Sequence, residues 1–376
     1  MATEYFTAHP IGRRDFLHGA GAAFLTSLIP ARAEALSRGD LLFASAFADR
    51  DGRHGVALLT EAGQPVWQTL LPARGHGSTQ CRKSGLLVVF ARRPGTFALV
   101  IDPDRRTEPV AFSTPKGRHF YGHGAFSTDG RLLFAAENDF ANAAGTIGIY
   151  DATDRFRRVG EFSSHGVGPH EITLMPDGRL LAVANGGIET HPQFGRAKLN
   201  IATMAPSLAL IDSETGELVR SFALPAALHQ LSIRHIDVTE QGTIVFGCQY
   251  EGSGIDLPPL VGRAGDDRGI EMFGLDDAAT AGFNNYIGSV SIAPGGAHFA
   301  VSSPKGNMVA VIDLRTGEML HSYRLDRGCG LAATGAGYVA SSDKGFFGRL
   351  DNDAGPADRS ALAFDNHITA LARLPA

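Results

Sequence analysis

Apolar residues in this chain come in short runs, each closed by a turn rich in glycine, aspartate or proline. The runs Leu132 to Ala136, Leu180 to Ala184 and Ile244 to Phe246 follow Asp-Gly, Asp-Gly and Gln-Gly turns. They are too short for helices and lack a 3.6-residue period, so they predict strands buried on both faces. A second set of runs ends at an aspartate: Ala98 to Asp102, Ile147 to Asp151, Leu208 to Asp212 and Val309 to Asp313. Two of these enter nearly the same turn, Ser213-Glu214-Thr215-Gly216-Glu217 and Leu314-Arg315-Thr316-Gly317-Glu318. An aspartate that caps the turn and a glycine at positive φ reverse a chain within a few residues.

The runs recur with a unit of roughly 45 residues, the period of a propeller blade. First strands are predicted to begin near residues 76, 123, 170, 235, 286 and 329, which makes six blades. The two ends supply the seventh. His367 to Ala372 reads as a first strand with no successors. Leu41 to Ala46, Val56 to Thr60 and Pro65 to Leu70 read as second, third and fourth strands with no first. The expected fold is therefore all-β: a seven-bladed β-propeller, its ring closed by the C-terminal strand pairing with the N-terminal blade. Two segments, 186–206 and 251–285, break the pattern and are expected as long loops over one mouth of the ring.

Ahead of the repeats stands Gly12-Arg13-Arg14-Asp15-Phe16-Leu17, then a modestly apolar stretch and Pro30-Ala31-Arg32-Ala33. This is the layout of a twin-arginine signal peptide over residues 1–33. It leaves 34–376 as one propeller domain, expected in the periplasm by the twin-arginine route. That route carries folded proteins and so suits cargo that acquires a metal beforehand. Beyond this segment no apolar run nears the ~18 residues of a transmembrane helix. A net charge of −5 leaves no electrostatic footprint for nucleic acid. Cys81, Cys248 and Cys329, at wide and irregular spacing, make no disulfide framework and no CxxC metal site; at most one bridge is possible.

The candidate chemistry lies in the histidines. A propeller's first strands are innermost, so residues at their starts converge on the channel although they are remote in sequence. Four such starts carry histidine: His123, His170, His235 and His367. Cys329 takes that slot in a fifth blade, His76 lies just upstream of it in a sixth, and Asn285 or Tyr286 takes the seventh. With 14 histidines in 376 residues, about one in 27, four in seven equivalent positions is an enrichment. Gathered neutral imidazoles suit a first-row transition metal, whereas calcium or magnesium would want more oxygen ligands. Glu171 beside His170 is placed to ligate or to orient an imidazole. His119, His165 and His229 stand just before three of the starts, and Arg118, Arg234 and Arg263 flank the same region, suited to carboxylate or phosphate or to pairing within the scaffold. The same convergence also fits acid–base catalysis, an anionic ligand, or plain polar lining of the channel.

Several motifs carry a resemblance: His119-Phe120-Tyr121-Gly122-His123-Gly124, Gly168-Pro169-His170-Glu171, Ala184-Asn185-Gly186-Gly187-Ile188, Thr190-His191-Pro192, Ser232-Ile233-Arg234-His235 and Tyr286-Ile287-Gly288-Ser289. Over essentially the whole mature chain these resemble the exported bacterial domain-of-unknown-function family numbered fifteen-thirteen. Members of that family tend to be encoded near imelysin-type iron-regulated periplasmic proteins and a di-haem oxidoreductase-like protein. The resemblance implies a part in iron uptake or metal handling beside such proteins, and it draws His191 into the site.

The expectation is a periplasmic propeller that binds or handles a metal, iron or copper, through His76, His119, His123, His170, His191, His235, His367 and Cys329, with Arg118, Glu171, Arg234 and Tyr286 around it. The alternatives are a lactonase-, lyase- or oxidase-like propeller enzyme using the same histidines as acid–base groups, and a protein-interaction scaffold docking through the 251–285 segment.

Overall fold

A computed structural model describes residues 41–103, 108–265, 269–350 and 360–372. They fold into seven antiparallel sheets. Six are led by the strands Gly75–Gln80, Arg118–Phe126, Pro169–Leu174, Leu231–Val238, Ser289–Ile292 and Gly328–Thr334, which define blades 1 to 6 in chain order. These innermost strands pack side by side in succession around one axis. The protein is a seven-bladed β-propeller.

Blade 7 is composite, as the orphan strands at the two ends predict. Leu42–Ala48 pairs on one side with His54–Thr60 and on the other with the C-terminal pieces Ala363–Phe364 and Thr369–Leu371. The register runs Leu42 to Leu371 and Phe47 to Phe364. Ser45 Oγ donates to the His367 carbonyl at 3.0 Å, bridging the interval between the two pieces. Closure in this way ties the ring shut and leaves only short strand edges among the described residues.

The sequence pattern follows from where each strand sits in its blade. Second and third strands are covered by neighbours on both faces, so Leu87–Ala91 is buried throughout and carries no polar alternation. Fourth strands lie on the rim, and Arg157–Ser163 alternates exposed and half-buried positions. The aspartate turns work as their composition predicts. Asp212 Oδ1 accepts from the amides of Glu214 and Thr215 at 2.9 and 3.0 Å, and Gly216 follows at φ 77°. Asp313 does the same for Arg315 and Thr316.

No single core exists. Apolar layers fill the seams between blades instead, such as Phe90, Phe112, Phe120 and Tyr150 between blades 1 and 2. The seam between blades 6 and 7 holds Phe43, Phe347, Phe364 and Ile368.

One expectation needs correction. Segment 251–285 is not a long loop: it contains the third and fourth strands of blade 4, Val261–Gly265 and Gly269–Met272, and a short helix Asp277–Gly282. Its strands escaped notice because Gly262, Arg263 and Gly265 interrupt the apolar run. The 186–206 segment does stand between the second and third strands of blade 3, with 3-10 turns at Pro192–Phe194 and Ile201–Thr203. All three cysteines are buried and unpaired. The twin-arginine segment, Asp266 and Asp267 lie outside the described residues. Among those described, no helix is long and apolar enough to cross a membrane.

Phe364, 2% exposed, packs at a tilt of 58° against Phe347, ring centroids 5.1 Å apart, in the closing seam. Phe364→Ala is expected to cost about 3–5 kcal/mol of stability, read by urea denaturation. Phe194→Ala on the exposed loop is expected to stay within about 0.5 kcal/mol.

Candidate metal centre at the propeller axis

Five consecutive blades around the ring each deliver one histidine to the axis. His76, His123, His170 and His235 come from the innermost strands of blades 1 to 4, and His367 from between the two C-terminal pieces of blade 7. Their ring centroids lie 4.5 Å apart for His123 and His367, 4.6 Å for His76 and His367, and 4.8 Å for His170 and His235. Two triads, His76–His123–His170 and His123–His235–His367, have candidate ligand atoms within 4.8 Å of one another.

The backbone reaches this arrangement through bulges. In five of the seven blades the ladder between first and second strands slips register at its axial end, between Gly75 and Ser78, Phe120 and Gly124, Pro169 and Glu171, Ile233 and His235, and Gly328 and Leu331. An extra residue bends the strand and re-aims its side chains. His76, His123 and His170 lie inside such bulges and His235 borders one. Glycine makes room between them: a Cβ on Gly122, at φ 108°, would stand 2.5 Å from the His76 ring, and one on Gly77 would stand 2.9 Å from His123 Nδ1.

Carboxylates fix the rings from behind. His76 Nδ1 donates to Asp365 Oδ1 at 2.9 Å, and Asp365 also accepts from Arg74 and Arg92. His235 Nδ1 donates to Glu171 Oε2 at 3.2 Å, while His123 Nδ1 lies 3.5 Å from Glu171 Oε1. A carboxylate that only accepts places the ring hydrogen on Nδ1 and leaves the Nε2 lone pair facing inward. Those inward atoms lack partners. His123 Nε2, His170 Nδ1, His235 Nε2 and His367 Nε2 are buried with no hydrogen bond. Four orphaned imidazole nitrogens in one place are costly unless something binds them.

The electrostatics keep the rings neutral. Burial lowers His76 to about 4 against the opposing pull of Asp365. Burial takes His123 to about 3 despite Glu171, and burial with the charges of Arg234 and Arg92 takes His235 to about 3. His170 and His367 fall well below the ordinary value, again by burial first and then by neighbouring histidines and arginines. Burial raises Glu171, while the charge of His123 and the amide of Ile236 oppose it. Burial would raise Asp365 too, yet the His76 hydrogen bond and the charges of His76, Arg92 and Arg74 hold it far below the carboxylate range.

Other sequence-predicted residues lie elsewhere. His119 is satisfied within its blade, donating from Nδ1 to its neighbour's carbonyl and accepting from Asn138 Nδ2 at 3.1 Å. His191 caps the 192–194 turn, accepting from the Gln193 amide at 3.2 Å, with its ring against Phe140. Cys329 does not join the axial triads: its Sγ donates to the Asp365 carbonyl at 3.2 Å, and burial raises the thiol to about 12. Arg118 is no ligand-binding group at the axis, because Asp139 and Glu161 pair with it beside the buried Glu137. Arg263 pairs with Glu271. His165, exposed, and His229, half-buried, bond to the Gly216 and Ala226 carbonyls. Tyr286 and Arg234 do line the channel mouth. Sequence reasoning missed Asp365, Arg74 and Arg92. Asp365 stands two residues before His367, which was the available signal; the arginines give none.

The profile of the family described as "Protein of unknown function (DUF1513)" matches residues 69–371. The chain belongs to the DUF1513 family. No curated protein matches this DUF1513 chain. Among solved structures it is similar to one described as Kuenenia stuttgartiensis hydrazine synthase, at 15% identity and a TM-score of 0.57, covering 79% of this chain and 91% of that one. As many as 888 solved chains match, so the likeness speaks for the architecture and for no single activity.

Two outcomes follow for this DUF1513 propeller. The metal-free chain should lose stability as pH falls. Its axial histidines protonate more readily when unfolded, so their contribution is complete above about 6.5 and is lost towards about 4 and then about 3. The loss is up to about 1.4 kcal/mol per pH unit for each histidine, and a urea midpoint unchanged from pH 7 to 5 would contradict it. Gly122→Ala should displace His76 and cost about 1–3 kcal/mol, checked by crystallography and melting.

Proposed function

We propose that this protein is a metal-binding propeller whose axial histidines hold one first-row transition metal ion, iron or copper. The observation that carries the reading is the set of four buried imidazole nitrogens with no hydrogen-bond partner. Two nitrogens on one ion lie at most about 4.2 Å apart, twice a bond of about 2.1 Å. Triads spread to 4.8 Å would therefore contract by at least about half an ångström, and by about 1.4–1.8 Å where two nitrogens take tetrahedral or cis positions at roughly 3.0–3.4 Å. His123, His235 and His367 would form one face of the site, with His76 and His170 closing it. Glu171 and Asp365 would hold the rings in the tautomer that presents a lone pair. Neutral nitrogen donors without an inward carboxylate suit such ions better than calcium or magnesium. The ion would supply Lewis-acid or redox chemistry.

Acid–base catalysis by these histidines has less support. Groups at about 3 to 4 are poor proton carriers near neutrality, where a general acid or base is best matched to the ambient pH. The twin-arginine layout and the family's implied setting favour a periplasmic metal-handling role beside iron-uptake proteins.

Elemental analysis of protein exported by a native-like host is the test. About one iron or copper per chain is expected, lost in His123→Ala/His367→Ala while circular dichroism stays propeller-like. Trace metal in wild type, unchanged in that variant, would remove the proposal.

A further inference from the structure

Beside the histidines the channel opens into a cavity of about 190 Å³. Five basic side chains line it, Arg92, Arg93, Arg196, Lys198 and Arg234, against a single acid, Glu251. His76, His170 and His235 line the same cavity, so its contents touch the axial site. Arg196 and Lys198 come from the 186–206 segment, which reaches over this mouth.

The charges do not balance. Arg92 is held by Asp365 at 3.2 Å, and Lys198 pairs with Glu251. Arg234 reaches only 3.9 Å from Glu251, and its buried Nε has no acceptor. Among the described residues, Arg93 and Arg196 have no hydrogen bond or ion pair. Burial lowers Arg93 to about 10, and the like charges of Arg234, Arg196 and Arg92 add to the fall. Guanidinium groups brought together in a cleft without counter-charge focus a positive potential on whatever enters.

A rival cavity of about 340 Å³ between blades 4 and 5 carries a smaller excess, two arginines, Arg263 and Arg315, against Glu271. Its Arg263 is already taken by Glu271 and the Leu314 carbonyl.

We infer that this mouth binds a small oxyanion ligand, a di- or tricarboxylate or a phosphate, through Arg93, Arg196 and Arg234. A guanidinium offers paired donors that match the two oxygens of a carboxylate or phosphate. The cavity is below the ~300 Å³ at which drug-sized ligands begin, which selects a molecule of few atoms over a nucleotide. The inference rests on the proposed metal site only for the ligand's inner end, where an oxygen would complete a ligand set otherwise made of imidazoles. Anion recognition itself needs no metal.

Isothermal titration of the full chain, stripped with chelator, against citrate, malonate and inorganic phosphate tests it, with a repeat after iron or copper loading. One-site binding is expected for at least one anion, weakened by added salt and reduced at least about tenfold in Arg234→Gln and in Arg196→Gln. Arg196 is exposed, so the second variant is expected to fold even where the first does not. Tighter binding of phosphate than of both acids names phosphate as the source; the reverse names a carboxylate. Binding of none of the three, or binding equal in both arginine variants and wild type, overturns the inference. His123→Ala/His367→Ala separates the two readings, since it should lose metal yet keep metal-free anion binding. Arginine-dependent anion binding in a wild type that takes up no metal would leave this inference standing and remove the other.

Discussion

Everything at the axis depends on burying five imidazoles while four of their ring nitrogens are left without a partner. Burial disfavours the charged form of each ring, and the rings disfavour one another's protonation further. The scaffold tolerates the arrangement because Asp365 and Glu171 accept the Nδ1 hydrogens of His76 and His235, with His123 Nδ1 3.5 Å from Glu171. Two carboxylates thereby orient two rings, and Asp365 is itself anchored by Arg74 and Arg92 on a different blade. The polar interior is built as a connected whole, from parts contributed by blades 1, 2, 3, 4 and 7.

The architecture was legible in the sequence for a physical reason. Each blade repeats the same demand: a middle pair of strands buried on both faces and turns that need aspartate and glycine, so the pattern recurs along the chain. The composite blade was legible as well, because a strand without neighbours at one end matched three strands lacking a first at the other. Blade 4 was harder. Its third strand carries Gly262, Arg263 and Gly265 where other blades carry aliphatic runs, since Arg263 reaches across to the next blade and needs no burial.

The site was only partly legible. Position within the repeat brought out His123, His170, His235 and His367, and brought His76 close. It did not separate them from Cys329, which holds the equivalent slot yet turns away, because side-chain direction near the axis is set by bulges that shift register by one or two residues. Strand pairing lies between remote segments, so no local pattern reveals such a slip. The cationic mouth was invisible for a related reason. Arg92 and Arg93 follow a second strand and Arg196 sits in an excursion, so only the folded ring brings them to Arg234.

His367 has a further meaning through its place in the closing blade. It stands in the short interval where the C-terminal end is stitched to Leu42–Ala48, with its carbonyl tied to Ser45 and Thr369 tied to Ser78 of blade 1. Any occupant that grips His367 together with His123 joins the C-terminal segment of blade 7 to blade 2. Ligand occupancy and latching of the ring are then thermodynamically linked, each favouring the other by the same free energy. A propeller of this design would report, at its centre, whether its two chain ends have met.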